Sequence, residues 1–101
     1  MYDLNHTKYS VKYTSRFKKA FKRALKQGKD ENKFLEVLKV IANGNILNEK
    51  YKNHKLTDDN EFKDCYECHI TPDWLLVYKY QNDNLVLILS ATGSHSELFK
   101  K

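Results

Sequence analysis

The chain has 101 residues, is 41% hydrophobic and 31% charged with three Gly and one Pro, and carries a formal net charge of +5. This length fits one domain spanning 1–101 with its own core and no room for a separate cofactor domain, and the composition excludes disorder and low complexity. No apolar run approaches the roughly 20 residues of a membrane span and Met1 to Ser10 is too polar for a signal peptide, so a cytoplasmic chain without membrane contact is expected.

The charge is unevenly spread. Leu4 to Lys29 holds nine Lys or Arg and no acid, whereas Asp30 to Lys101 holds nine bases against twelve acids. A cationic N-terminal third favours a polyanionic partner, because neutralised phosphates release their counterions; a solvated helix face that aids solubility is the plainer explanation.

In chain order, Met1 to Lys8 shows no pattern and reads as a flexible terminus, His6 included. Tyr9, Val11 and Tyr13 alternate with polar residues over Lys8 to Thr14, which predicts a strand. From Ser15 the period changes: Phe17, Ala20, Phe21, Ala24 and Leu25 share one face of a helix whose other face is basic, and Gly28 stops it. Asp30 reads as the N-cap of a second helix that carries Phe34, Leu35, Val37, Leu38 and Ile41 and ends near Asn43-Gly44. Ile46 to Glu61 has no clear period and reads as a loop with a turn at Asp58-Asp59-Asn60.

Cys65 to Ile70 and Trp74 to Tyr80 read as two strands joined through Thr71-Pro72-Asp73, which places His69 and Asp73 facing each other at the hairpin mouth. Leu85 to Ser90 predicts a further strand, apolar enough to be covered on both faces. Ser94-His95-Ser96-Glu97 has the capping-box pattern and opens a short last helix with Leu98 and Phe99. The predicted order is β-α-α-β-β-β-α, an α+β domain with two N-terminal helices packed on a twisted, mainly antiparallel sheet.

Three histidines sit in distinctive settings: Lys52-Asn53-His54-Lys55, His69-Ile70-Thr71-Pro72-Asp73-Trp74 and Gly93-Ser94-His95-Ser96-Glu97. Together they point to an acid/base site without a metal or other cofactor. In the first turn of a helix, His95 is placed to accept a proton. Asp73 beside His69 is placed to orient that imidazole as an acid. Trp74 could stack an unpaired base or belong to the core. Cys65-Tyr66-Glu67-Cys68-His69 matches the C-x-x-C-H haem pattern, but on a strand the two thiols point to opposite faces, which argues against haem, zinc and a disulfide alike.

Lys52-Asn53-His54-Lys55-Leu56, Glu67-Cys68-His69-Ile70-Thr71-Pro72-Asp73-Trp74-Leu75-Leu76-Val77-Tyr78 and Thr92-Gly93-Ser94-His95-Ser96-Glu97-Leu98-Phe99 resemble, in order and spacing, the motifs of the YafQ branch of the RelE/ParE toxin superfamily. The resemblance runs from about Tyr9 to Phe99. It implies a small RelE-like fold and the toxin half of a type II toxin–antitoxin pair. It further implies a metal-independent endoribonuclease that cuts mRNA on the ribosome, with attack of a ribose 2′-OH leaving a 2′,3′-cyclic phosphate and a 5′-OH. Carried over by position, His54, His69, Asp73 and His95 form the catalytic group, and Trp74 and Phe99 support the site or the RNA. Beside His54, Lys52 and Lys55 are candidates for phosphate contacts. His95 or Asp73 would take the 2′-OH proton, and His69 or His54 would protonate the leaving oxygen.

One departure stands out: relatives commonly carry Arg where this chain has Ala91, so a transition-state cation is missing unless Lys52, Lys55 or His54 supplies it. The implied partners are a cognate antitoxin, mRNA on the ribosome, and operator DNA bound only by the toxin–antitoxin complex. A gyrase-inhibiting ParE-like toxin and a non-catalytic RNA- or antitoxin-binding module are the alternatives; the histidine set counts against the first, and Ala91 keeps the second open.

Overall fold

The computed structural model describes residues 7–57 and 61–99. The first six residues of the expected flexible terminus and the turn expected at Asp58-Asp59-Asn60 lie outside them. Thr7 and Lys8 are tied down, Thr7 Oγ1 donating to the Tyr9 carbonyl at 2.7 Å and the Lys8 amide to Asn43 Oδ1 at 3.3 Å.

β1 (Ser10–Tyr13) leads into α1 (Ser15–Lys26) and α2 (Glu31–Ala42), followed by a 3₁₀ turn (Glu49–Tyr51), β2 (His54–Lys55), β3 (Tyr66–Thr71), β4 (Trp74–Gln81), β5 (Val86–Gly93) and α3 (His95–Phe99). The helices start where their side chains satisfy the first free N–H groups. Thr14 Oγ1 accepts from the Phe17 amide, and Asp30 Oδ1 accepts from the Asn32 amide at 2.9 Å. Gly28 ends α1 with φ of 91°, a conformation that its missing Cβ allows at little cost.

The strands form one five-stranded sheet in the order β1-β5-β4-β3-β2, antiparallel except for the β1–β5 pair. The expected order is observed with one addition. The expected loop around His54 contains a two-residue edge strand, His54 opposite Glu67 and Lys55 opposite Tyr66, and the Leu56 amide extends it by bonding the Cys65 carbonyl at 2.9 Å. Two residues carry no readable period, so only the pairing reveals this strand.

Both helices cover one face of the sheet, where Phe17, Phe34, Val37 and Ile41 join Cys68, Ile70, Trp74, Leu76, Leu87 and Leu89. Phe21 and Phe34, with ring centroids 4.6 Å apart, tie α1 to α2. The opposite face holds a smaller cluster of Phe62, Cys65, Leu75, Val77, Ala91 and Leu98. A bulge lets β5 serve both clusters: Val77 pairs Ala91 while Tyr78 pairs Leu89, so Ser90 is the extra residue. Without it Leu89 and Ala91 would share a face. The Ser90 carbonyl is bonded by Thr14 Oγ1 at 2.8 Å, which ties the bulge to the start of α1.

Cys65 and Cys68 fall in different clusters, as their spacing on a strand requires, and no disulfide joins them. Burial pushes the Cys68 thiol up to about 12. Among the described residues no helix is long and apolar enough to cross a membrane.

Candidate active site

The face away from the helices carries the histidines. On β3, Glu67 and His69 are two residues apart and project to that face, and His54 stands directly opposite Glu67 on β2. Glu67 is 4% exposed, and its Oε1 lies 3.5 Å from the Nε2 of both His54 and His69. A buried carboxylate thus sits between two imidazoles, one exposed and one half-buried.

The other nitrogen of His54 is also engaged: Nδ1 is 2.9 Å from the Lys52 carbonyl. A carbonyl only accepts, so Nδ1 carries the hydrogen and Nε2 of the neutral ring presents a lone pair. The imidazolium is therefore the form that offers a proton at Nε2. The segment before β2 is held by Tyr78, whose hydroxyl donates to Asn53 Oδ1 at 2.6 Å; burial raises the pKa of that hydroxyl well above the usual phenol range. Lys52, in a left-handed turn with φ of 48°, and Lys55 are both exposed beside His54.

Asp73 departs from expectation. Its Oδ1 accepts from Thr71 Oγ1 at 2.9 Å and its Oδ2 meets Lys29 Nζ at 3.3 Å, and no ion pair joins it to His69 among the described residues. The carboxylate that orients His69 is Glu67. The turn at Pro72-Asp73 directs Asp73 toward the end of α1, where Lys29 follows the Gly28 cap. The Thr71 hydrogen bond and then Lys29 hold its carboxyl below the usual range.

The row His69–Leu75–Gly93 runs across β3, β4 and β5, and His95 begins α3 two residues beyond Gly93. His95 is therefore at the same end of the sheet as His69 and the turn. The capping box is present: Ser94 N donates to Glu97 Oε1 at 2.7 Å, and Glu97 N donates to Ser94 Oγ at 3.2 Å. A Cβ on Gly93 would come within 3.0 Å of Glu97 Oε1, so glycine leaves room for this closure. Buried Thr92 donates to the Leu75 carbonyl at 2.6 Å and pins the end of β5 to the start of β4.

Phe99 lies 5.0 Å from the His95 ring and meets Phe62 edge-on at 6.0 Å, so it supports His95 from the small cluster. Trp74 is 1% exposed and packs with Phe21 and Phe34. A base stacked on it would have to enter the core; the core placement is the one observed. Its Nε1 has no hydrogen-bond partner among the described residues.

Ala91 is fully buried beside Val77, in the row that also contains Glu67. At the position where the resemblance implies an Arg, this chain has an apolar patch closed by Phe62 and Leu98. The cations of α1 and its end, Arg16, Lys19, Arg23 and Lys29, line a separate cavity of about 320 Å³ with Asp73, Thr92, Ser94 and Glu97, and none of the three histidines is in its wall. Among the described residues no group of three or more His, Cys, Asp or Glu side chains is arranged to hold a metal ion.

Glu67 and Lys29 are absent from the site expected from local sequence. Glu67 was visible as a Glu-x-His pair on one face of a strand; Lys29 carried no comparable signal.

A family model for YafQ, the bacterial toxin of type II toxin–antitoxin systems, matches residues 9–100. The chain belongs to the YafQ toxin family. It is a homologue of the mRNA interferase toxin YafQ of Escherichia coli BL21-DE3, 33% identical over 72 residues that make up 70% of this chain and 74% of the relative. The crystal structure of YafQ from that strain superposes with a TM-score of 0.79 at 32% identity, covering 90% of this chain and 98% of the other. A metal-bound toxin from Helicobacter pylori gives 0.82 at 38% identity over 88% and 97% of the two chains. YafQ in the E. coli DinJ–YafQ toxin–antitoxin complex gives 0.79 at 31% over 91% and 98%. The expected YafQ-like α+β fold, with two N-terminal helices and a mostly antiparallel sheet, is the one observed.

Proposed function

We propose that this YafQ-family chain acts in the cytoplasm, as one toxin domain, as an mRNA interferase that cuts RNA on the ribosome and so stops translation. The observation that carries this reading is the buried Glu67 carboxylate between the Nε2 atoms of His54 and His69. Such an arrangement fixes two imidazoles around one carboxylate, within reach of proton transfer, which a passive binding surface does not need.

In this reading the ribose 2′-OH attacks the adjacent phosphorus, and the 5′-oxygen leaves with a proton. His95 takes the proton from the 2′-OH. His69 or His54 delivers one to the leaving oxygen, with Glu67 fixing their rings. Asp73, held as an anion by Thr71 and Lys29, orients groups at the turn and is a weaker base than an ordinary carboxylate. Lys52 and Lys55, beside His54, neutralise the phosphate, which offsets the absence of an Arg at position 91. Phe99 supports His95 from the small cluster, and Trp74 anchors the start of β4 in the main core. No cofactor enters these steps.

A cognate antitoxin would neutralise the cationic surface with acidic residues; the E. coli YafQ forms a toxin–antitoxin complex with DinJ. Operator DNA would be bound only by that complex. Expression of wild type and His95→Ala tests the reading: growth arrest with mapped mRNA cuts is expected for wild type alone. DNA-damage signalling would instead indicate a gyrase inhibitor, and absence of toxicity a non-catalytic binding module.

A further inference from the structure

Beside His69 lies a second cavity, of about 500 Å³, formed by Lys33 and Glu36 of α2, Lys50 to Lys52 at the 3₁₀ turn, and the β3 end with Pro72. Its size is within the range of small-ligand sites. Three lysines face one acid, so the cavity favours an anion. Tyr51 is half-buried, packed against the main core, and Lys50 Nζ lies 5.1 Å over its ring. The turn that presents it is built in advance: Asn48 Oδ1 accepts from the Lys50 amide, the Asn48 carbonyl accepts from the Tyr51 amide, and Asn53 is held by Tyr78.

We infer that this cavity receives one nucleotide of single-stranded RNA beside the cut, its base on the Tyr51 ring and its phosphate among Lys33, Lys50 and Lys52. The inference rests on the RNA-cleaving reading above and names a subsite for it. An aromatic platform with flexible cations around it is how unpaired RNA is gripped without strict sequence readout. Lys50 moves off the ring as the base enters and meets the phosphate. The occupant is within reach of the chemistry, because Thr71 and Pro72 at the rim belong to the turn that carries Asp73, and His69 forms part of the wall.

The test uses RNA whose cut has first been mapped with wild-type protein, free and on programmed ribosomes. A 2′-deoxy sugar at the cut nucleotide then blocks cleavage, and 2-aminopurine is placed at successive positions beside it. Quenching at one position is expected with wild type and should be lost with Tyr51→Leu, with RNA affinity falling about tenfold. Tyr51→Phe should keep both, and matched thermal melts should exclude unfolding. Unchanged quenching and affinity in Tyr51→Leu would overturn the subsite while leaving the cleavage reading intact. Weaker antitoxin binding without any RNA effect would likewise overturn it and put a protein there. If wild type makes no cut at all, both readings fall.

Discussion

Glu67 reaches the Nε2 of His69 at 3.5 Å while itself only 4% exposed, so the acid partner of this imidazole comes from its own strand. Glu67→Gln keeps the shape but removes the anion that fixes both rings. Turnover on programmed ribosomes should fall about 10²- to 10⁴-fold, the range of general acid–base catalysis, with the thermal melt showing a folded protein. Activity within about twofold of wild type in a folded variant would reduce Glu67 to a structural role.

Lys29 and Asp73 are 44 residues apart in the chain yet meet at 3.3 Å. With the Asp73 pKa lowered by Thr71 and Lys29, the pair stabilises the fold above the unfolded carboxyl pKa, and that contribution is lost as pH falls through the folded one. Lys29→Met should move the Asp73 titration up toward the ordinary carboxyl range, read by carbon NMR of the side chain. An unmoved midpoint would leave the Thr71 and backbone hydrogen bonds as the cause.

Glu97 offers a second acid-sensitive point. The Ser94 amide holds its carboxyl below the usual range, so the cap on α3 persists above the unfolded pKa and opens as pH drops through the folded value. The difference in Tm between wild type and Glu97→Gln should therefore be largest near neutral pH and shrink as pH falls through the folded carboxyl value. A difference constant across that range would show that the cap does not depend on the charge.

Local signals wrote much of this fold into the sequence. Thr14 and Asp30 accept amide bonds at the predicted helix starts, Gly28 stops α1, and Ser94 and Glu97 bond each other as the capping pattern requires. What could not be read depends on pairing between distant segments. β2 is two residues long and exists because β3 is beside it; Glu67 becomes a buried carboxylate only when His54 arrives opposite. Asp73 stands next to His69 in the hairpin, which suggested that they pair, but Thr71 and Lys29 claim it first. In the same way Trp74 looked available to RNA only while Phe21 and Phe34 were absent from view.

Trp74 should act on stability before it acts on RNA. Trp74→Ala leaves a large void in the main core and should cost about 3–5 kcal/mol. Trp74→Phe removes the unpartnered indole N–H with part of the packing, and its cost should stay within about 1.5 kcal/mol. Denaturant melts separate the two. A stable Trp74→Ala with weakened RNA binding would place the ring in the interface instead.

The most direct measurement is end-group analysis of mRNA cut by the purified protein on programmed ribosomes in the presence of a chelator. Discrete cuts leaving a 2′,3′-cyclic phosphate and a 5′-OH are expected, undiminished by the chelator and absent with His95→Ala. Cuts that require added divalent metal, or that persist in His95→Ala, would contradict an acid/base site built on His54, Glu67, His69 and His95.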